Sequence, residues 1–379
     1  MIPHRQHLLL LALFTVLGTG CVRIVSPGPV PVPPSLPLQT DIFYATDRAP
    51  LPFDAKTCDP VHENDQVRTY GGERSGGGKL SFGTYALVIV RDHKTGNLTQ
   101  SLRRDVECKP PKKKPINASR ASPLTESDYF IALAARVNAS PRREVLLFIH
   151  GFNFSFAEAA ERTAQLQYDL DFEGPAVLYS WTSRASARPS KYQDDERSVE
   201  AGLESLVSFL KDLQQRARPE RIHVIAHSMG GRALVRALEQ ISFQPAEVSR
   251  PRFGHIVLAA PDMDRDEFIG KVPAVIRMCE RVTLYASTAD RALALAGDAH
   301  KVPRAGESGE FVVVMPGVDT VDVSAVGGGW FTFGHSYYGE NRSVLGDIYQ
   351  LLHNNTPPQS RFGLFRMPHK DGHYWAFRK

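Results

Sequence analysis

The chain has little of what metal and redox centres are built from. Its four cysteines include no C-x-x-C pair, and its 13 histidines include no H-E-x-x-H pattern. Neither a zinc site nor a dithiol centre is therefore expected, and no metal or other cofactor is assigned. Charge of one sign is nearly absent in excess: 45 basic residues stand against 41 acidic ones, a formal net charge of +4. That is too little to argue for a nucleic-acid partner. The N-terminal apolar run, Leu8 to Leu17, is also too short for a bilayer-spanning helix, which needs about 20 residues. What remains is 42% hydrophobic and 23% charged over 379 positions. This is an ordinary globular balance, with enough apolar residues for one large domain with elaborations.

Residues 1–20 read as a targeting segment, because Arg5 precedes the apolar run. The run ends in Leu17-Gly18-Thr19-Gly20-Cys21, small residues followed directly by cysteine. That resembles the bacterial lipobox, with Gly18 where leucine is usual, and implies lipidation of Cys21. An ordinary cleaved signal with an incidental cysteine is the alternative. Residues 21–40 form a proline-rich tether, including PGPVPVPPSLP from Pro27 to Pro37, which favours extended polyproline II. Together these features imply a lipid-anchored protein of the bacterial cell envelope, facing the periplasm or cell surface. The folded body is expected over residues 41–356, followed by a basic, aromatic tail over 357–379. The sequence leaves open whether that tail packs on the body, touches a membrane or moves freely. Cys58 and Cys108 could pair in an oxidising compartment, closing a loop of about 50 residues and stabilising the fold by roughly 4 kcal/mol. Cys279 reads as a buried apolar residue.

The stretch that organises the chain is IHVIAHSMGGRAL, Ile222 to Leu234. A β-branched run breaks at Ala226-His227-Ser228-Met229-Gly230-Gly231, and a helix-compatible run follows at once. Strand, tight turn with a central serine, then helix is the pattern of a nucleophile elbow, here A-x-S-x-G rather than G-x-S-x-G. Bulk two residues before or after the serine would clash with the adjoining strand and helix. The helix N-terminus behind Ser228 offers free N–H groups to a developing negative charge.

Around the elbow, strand patterns alternate with helix patterns. Strands are expected near Asp41, over Leu80 to Val90, Val145 to Ile149, Ala176 to Trp181, His255 to Ala259 and Val282 to Ala286, with further candidates in Phe311 to Val314 and Val318 to Val326. Helices are expected over Asp128 to Arg136, Phe156 to Leu170, Asp195 to Arg216, Arg232 to Gln240 and Asn341 to His353. This alternation predicts an α/β fold, a mostly parallel sheet with helices on both faces, whose sites form at the carboxyl ends of strands. Serine needs an adjacent base, and the base needs an orienting carboxylate. In chain order the candidates are Ser228, then Asp290, then His335, each just after a strand pattern. Asp262 follows an earlier strand and is the alternative acid. His335 is reached through a glycine-rich loop, Gly327 to Gly334, whose Trp330, Phe331 and Phe333 suggest an apolar acyl pocket. The two oxyanion donors are expected to be the N–H of Met229 and that of Phe152, in the loop His150-Gly151-Phe152-Asn153.

Taken together, Phe43-Tyr44-Ala45-Thr46-Asp47-Arg48, Phe148-Ile149-His150-Gly151-Phe152-Asn153, Ala226 to Gly231, Ala259 to Asp264 and Gly334-His335-Ser336 resemble the bacterial α/β-hydrolase family DUF900, over about residues 41–353. The resemblance implies a serine-hydrolase scaffold, often secreted or lipid-anchored, and supplies no substrate. The expected activity is esterase- or lipase-like hydrolysis of a small-molecule or lipid ester, with the membrane as partner through the N-terminal anchor. The alternative is a non-catalytic envelope lipoprotein that uses the fold for binding or assembly.

Overall fold

Among the described residues eleven strands lie side by side in one sheet, and the strand that leads into Ser228 is at its centre. The computed structural model describes residues 38–51, 70–89, 95, 120–186, 188–244, 253–288, 302–326, 339 and 341–378. The chain opens with β1 (Leu38–Thr46), the short β2 (Arg48–Pro50) and β3 (Tyr70–Arg74), then β4 (Ser81–Ile89) and β5 (Arg120–Leu124). The regular alternation begins with α1 (Glu126–Ala139) and β6 (Glu144–Ile149), followed by α2 (Phe156–Asp169), β7 (Ala176–Ser180), α3 (Pro189–Ala201) and α4 (Leu203–Asp212). Then come β8 (Arg221–His227), α5 (Met229–Ser242), β9 (Phe253–Ala259), α6 (Arg265–Ile276), β10 (Cys279–Ala286) and β11 (Val318–Asp322). The chain finishes with α7 (Arg342–Asn354), β12 (Leu364–His369) and β13 (Gly372–Phe377).

The spatial order is β12-β13-β11-β10-β9-β8-β6-β7-β1-β4-β5. From β1 across to β11 every neighbouring pair is parallel. The antiparallel pairs are at the margins, β1–β4, β4–β5 and β12–β13. Because side chains alternate along a strand, the central strands feed two separate apolar layers. Val145, Leu147 and Ile149 of β6 join one layer with Leu206, Leu234 and Phe268 from α4, α5 and α6. Leu146 and Phe148 join the other, with Leu166 of α2 and Ile348 of α7. Burial on both faces is why β6 reads as an uninterrupted apolar run.

Three expectations need correcting. The helix read over Asp195 to Arg216 starts earlier, with Pro189 in its first turn, and is interrupted at Gly202. No strand forms at Phe311 to Val314; Val313 is buried there, and its carbonyl accepts a hydrogen bond from Thr320 Oγ1 at 2.6 Å. The domain does not end at residue 356. The stretch read as a tail forms the β12–β13 hairpin, with β13 parallel to β11 and Trp375 and Phe377 buried. Arg361 fastens it, fully buried against Asp347 (3.2 Å) and Asp319 (3.3 Å). Cys279 is half-buried against the core. Among the described residues, no helix is long and apolar enough to cross a membrane.

Candidate active site

Ser228 sits between the end of β8 and the start of α5 with φ 53° and ψ −122°. A non-glycine residue seldom adopts such a backbone, which costs of order 1–3 kcal/mol and persists only where its surroundings impose it. Here they do. Its N–H donates to Ala259 O at 3.0 Å, and its carbonyl accepts from Gly231 N at 2.9 Å and Asp262 N at 3.2 Å. The turn tolerates no bulk. A β-carbon on Gly230 would lie 2.4 Å from His150 O and 2.7 Å from Ile149 O. One on Gly151 would lie 2.7 Å from Ser228 Cβ and 2.7 Å from His227 Nδ1. The loop after β6 is thus pressed directly against the serine. Met229, the first residue of α5, is buried immediately behind it.

The loop from His150 to Phe154 is held at nearly every peptide. Trp181 Nε1 donates to His150 O at 2.6 Å, and its ring stacks on the imidazole at 4.9 Å between centroids. His150 Nδ1 lies 2.8 Å from Gly151 O. The buried carboxylate of Asp195, on α3, accepts the backbone N–H of Asn153, which itself has φ 62°. The carbonyl of Phe154 accepts from Arg48 Nη2 at 2.8 Å. Among the described residues none accepts the N–H of Phe152 or that of Met229. These are the two donors expected of the oxyanion hole. Burial, reinforced by the neighbouring Arg48 charge, pushes the His150 pKa down to about 3, so the ring is neutral near pH 7.

Asp262 lies beside the elbow with both carboxylate oxygens engaged. Arg304 Nε donates to Oδ1 at 2.7 Å, and the Tyr192 hydroxyl donates to Oδ2 at 2.6 Å. Arg232 Nη2 is 3.6 Å from Oδ1, and its Nε donates to Asp262 O at 2.7 Å. Burial alone would raise the Asp262 pKa, but Arg232 and Arg304 overcome it and hold the carboxyl below its usual range. This arrangement makes Asp262 a brace that ties α3, α5 and the segment around Arg304 to the floor of the elbow.

Asp290 and His335 lie outside the described residues, as do Cys21, Cys58, Cys108, Trp330, Phe331 and Phe333. The framework on either side of the Asp290 and His335 segments is well tied. Ser287 N donates to Gly306 O at 3.0 Å, and Ala305 N donates to Met263 O at 2.8 Å. Asn341 Nδ2 donates to Val326 O at 2.6 Å. Gly339 O accepts from both Arg162 Nη1 and Gln165 Nε2 of α2 at 2.9 Å.

The sequence pattern gave no role to Trp181, Asp195, Tyr192 or Arg304, and Arg48 entered it only as the end of one segment of the family resemblance. The available signal was charge out of place: Asp47-Arg48 follows the apolar run Ile42 to Ala45 after a single threonine, and both are buried. No curated protein matches the sequence. The family model for an alpha/beta hydrolase of unknown function, DUF900, matches residues 127–355, more than half the chain. The segment from Thr46 to Arg48 lies before that match, although its side chains reach into it. A parallel sheet with a serine elbow at its central strand, matched over this span, places the chain in the DUF900 family of alpha/beta hydrolases of unknown function.

Proposed function

We propose that the protein is a serine hydrolase acting on ester bonds through an acyl-enzyme on Ser228. In this reading His335 takes the hydroxyl proton during attack and returns a proton to the leaving group. It then activates the water that releases the acid. Asp290 orients the imidazole and stabilises its cationic form. The N–H groups of Phe152 and Met229 receive the oxyanion. The observation that carries the reading is the imposed backbone of Ser228, φ 53° and ψ −122°, between a parallel strand and a helix N-terminus. Strain of this kind is kept where the presentation of a side chain requires it. Chain order supports the partners. Asp290 follows β10 and His335 follows β11, and both strands run parallel to β8 on the same side of it. Asp262 is the weaker candidate for the acid, because Tyr192 and Arg304 already occupy its two oxygens.

We further propose that a lipid on Cys21 holds the domain at the cell envelope through the proline-rich segment. Radiolabelled palmitate should enter the wild type and not Cys21→Ser. The catalytic reading is tested with a fluorophosphonate probe, which bonds covalently to an activated serine. Labelling of the wild type and not of Ser228→Ala is expected. No labelling of either protein would instead leave the fold as a binding or assembly module.

A further inference from the structure

Arg48 is 1% exposed, yet each of its five N–H groups has a polar atom of the protein within hydrogen-bond distance. Nε donates to Ser180 Oγ at 2.9 Å, and Nη1 donates to Ser183 O at 2.9 Å and to Gly71 O at 3.2 Å. Nη2 donates to Phe154 O at 2.8 Å and faces His150 Nε2 at 3.2 Å. A guanidinium has no lone pair to offer, so this last contact is a hydrogen bond only if Nε2 is the unprotonated ring nitrogen. The hydroxyl of Ser180, 3.2 Å from Nε2, can donate to it as well.

The ring proton then belongs on Nδ1, where Gly151 O accepts it at 2.8 Å. The opposite tautomer would set a lone pair of Nδ1 against that carbonyl and an N–H against the guanidinium. Only Trp181 O, 3.1 Å from Nε2, would favour it. One favourable contact does not outweigh two that turn repulsive. The consequence extends one residue further. In a trans peptide the C=O and N–H point in opposite directions. Fixing the Gly151 carbonyl towards the imidazole therefore fixes the Phe152 N–H away from it.

We propose that Arg48 and His150 are positioning residues for the oxyanion hole: Arg48 sets the tautomer of His150, and the Nδ1–H of His150 holds the Gly151 carbonyl so that the Phe152 N–H faces the oxygen formed above Ser228. The inference rests on the serine-hydrolase reading and extends it to a segment before the family match. It makes two polar replacements of one histidine unequal. The amide nitrogen of asparagine superimposes on Nδ1 and can still donate to Gly151 O. That of glutamine reaches instead toward the Nε2 position.

The test measures steady-state hydrolysis of p-nitrophenyl acetate and the rate of fluorophosphonate labelling for wild type, His150→Asn, His150→Gln and Arg48→Lys. Thermal melting establishes that each is folded. His150→Asn should stay within about tenfold of wild type. His150→Gln and Arg48→Lys should lose about 10²–10³-fold in kcat with KM little changed, as expected when one oxyanion donor is misaimed. Equal rates for the Asn and Gln variants, both folded, would overturn the proposal. The tautomer is read separately by NMR of protein with 15N-labelled histidine. The resonance pair lost in His150→Asn should report a proton on Nδ1 and should not titrate from about pH 5 to about pH 9. A proton on Nε2 would overturn the inference whatever the kinetics. If the wild type resists fluorophosphonate altogether, the hydrolase reading falls and this proposal falls with it. If the wild type is labelled and His150→Gln reacts equally fast, only this proposal falls.

Discussion

Substituting Gly151 by alanine adds one methyl group at the point where the loop after β6 meets the serine. The new carbon would sit 2.7 Å from both Ser228 Cβ and His227 Nδ1, where ordinary contact begins at 3.4 Å. The loop and the elbow must then part by about 0.7 Å, and a misplacement near 1 Å at a reacting centre costs about 10²-fold. The effect on stability is smaller. Overpacking costs about 1–3 kcal/mol, and the reduced freedom of the unfolded chain returns about 0.4–1 kcal/mol. For a domain of this size the melting temperature should fall by no more than about 8 °C. The assay pairs the second-order rate of fluorophosphonate labelling with a thermal melt. The expected result is a labelling rate reduced about 10- to 100-fold in a protein that remains folded at 25 °C. A folded Gly151→Ala variant labelled within about twofold of wild type would refute the claim that this loop and Ser228 form one rigid unit.

Three further outcomes follow from the described geometry. Asp262→Asn leaves Arg304 buried without its counter-charge, while Arg232 keeps Glu196, and should destabilise by about 3–5 kcal/mol in urea unfolding; an unchanged midpoint would show that Asp262 is not the brace described. His150 has a folded pKa near 3 against 6.5 unfolded, so the unfolded state takes up the proton first and stability falls as pH drops through 6.5 towards 3. Between pH 7.5 and pH 5.5 this costs about 1.4 kcal/mol, and the wild type minus His150→Asn difference in urea unfolding should show that slope; parallel curves would contradict a neutral buried ring. Ending the chain after Thr356 removes Arg361 from Asp347 and Asp319 and exposes the sheet beside β11, so the truncated protein should aggregate or melt well below wild type. Melting identical to wild type would mean that the hairpin is dispensable.

The fold was legible where burial is two-sided or periodicity is long. Val145 to Ile149 and Ile222 to Ile225 read as strands because both sheet faces are covered, and α2 read as a helix from its apolar spacing. α6 was not read, because Pro273 lies within it, although Phe268, Val272 and Val275 carry the helical spacing. The β12–β13 hairpin was missed because much of β12 is exposed, with Phe365 41% exposed, and because Arg366 and Pro368 break its pattern, leaving the short apolar run Tyr374 to Phe377 without an evident partner strand. At the candidate site, the strand-turn-helix around Ser228 and the loop at Gly151 were legible because so close an approach of backbones admits only small residues. The network behind them was not. Arg48, Trp181 and Asp195 come from three distant segments, and only the folded sheet shows that they converge on one five-residue loop.

The central claim is that Ser228 is a nucleophile, and trapping its acyl intermediate tests this most directly. The protein is mixed with a p-nitrophenyl ester, quenched in acid within the first turnovers, digested and read by mass spectrometry. The account predicts a burst of p-nitrophenol matching the enzyme concentration and an acyl group on the peptide containing Ser228, absent from Ser228→Ala. Release of p-nitrophenol with no acylated peptide, or with the acyl group on another residue, would contradict it.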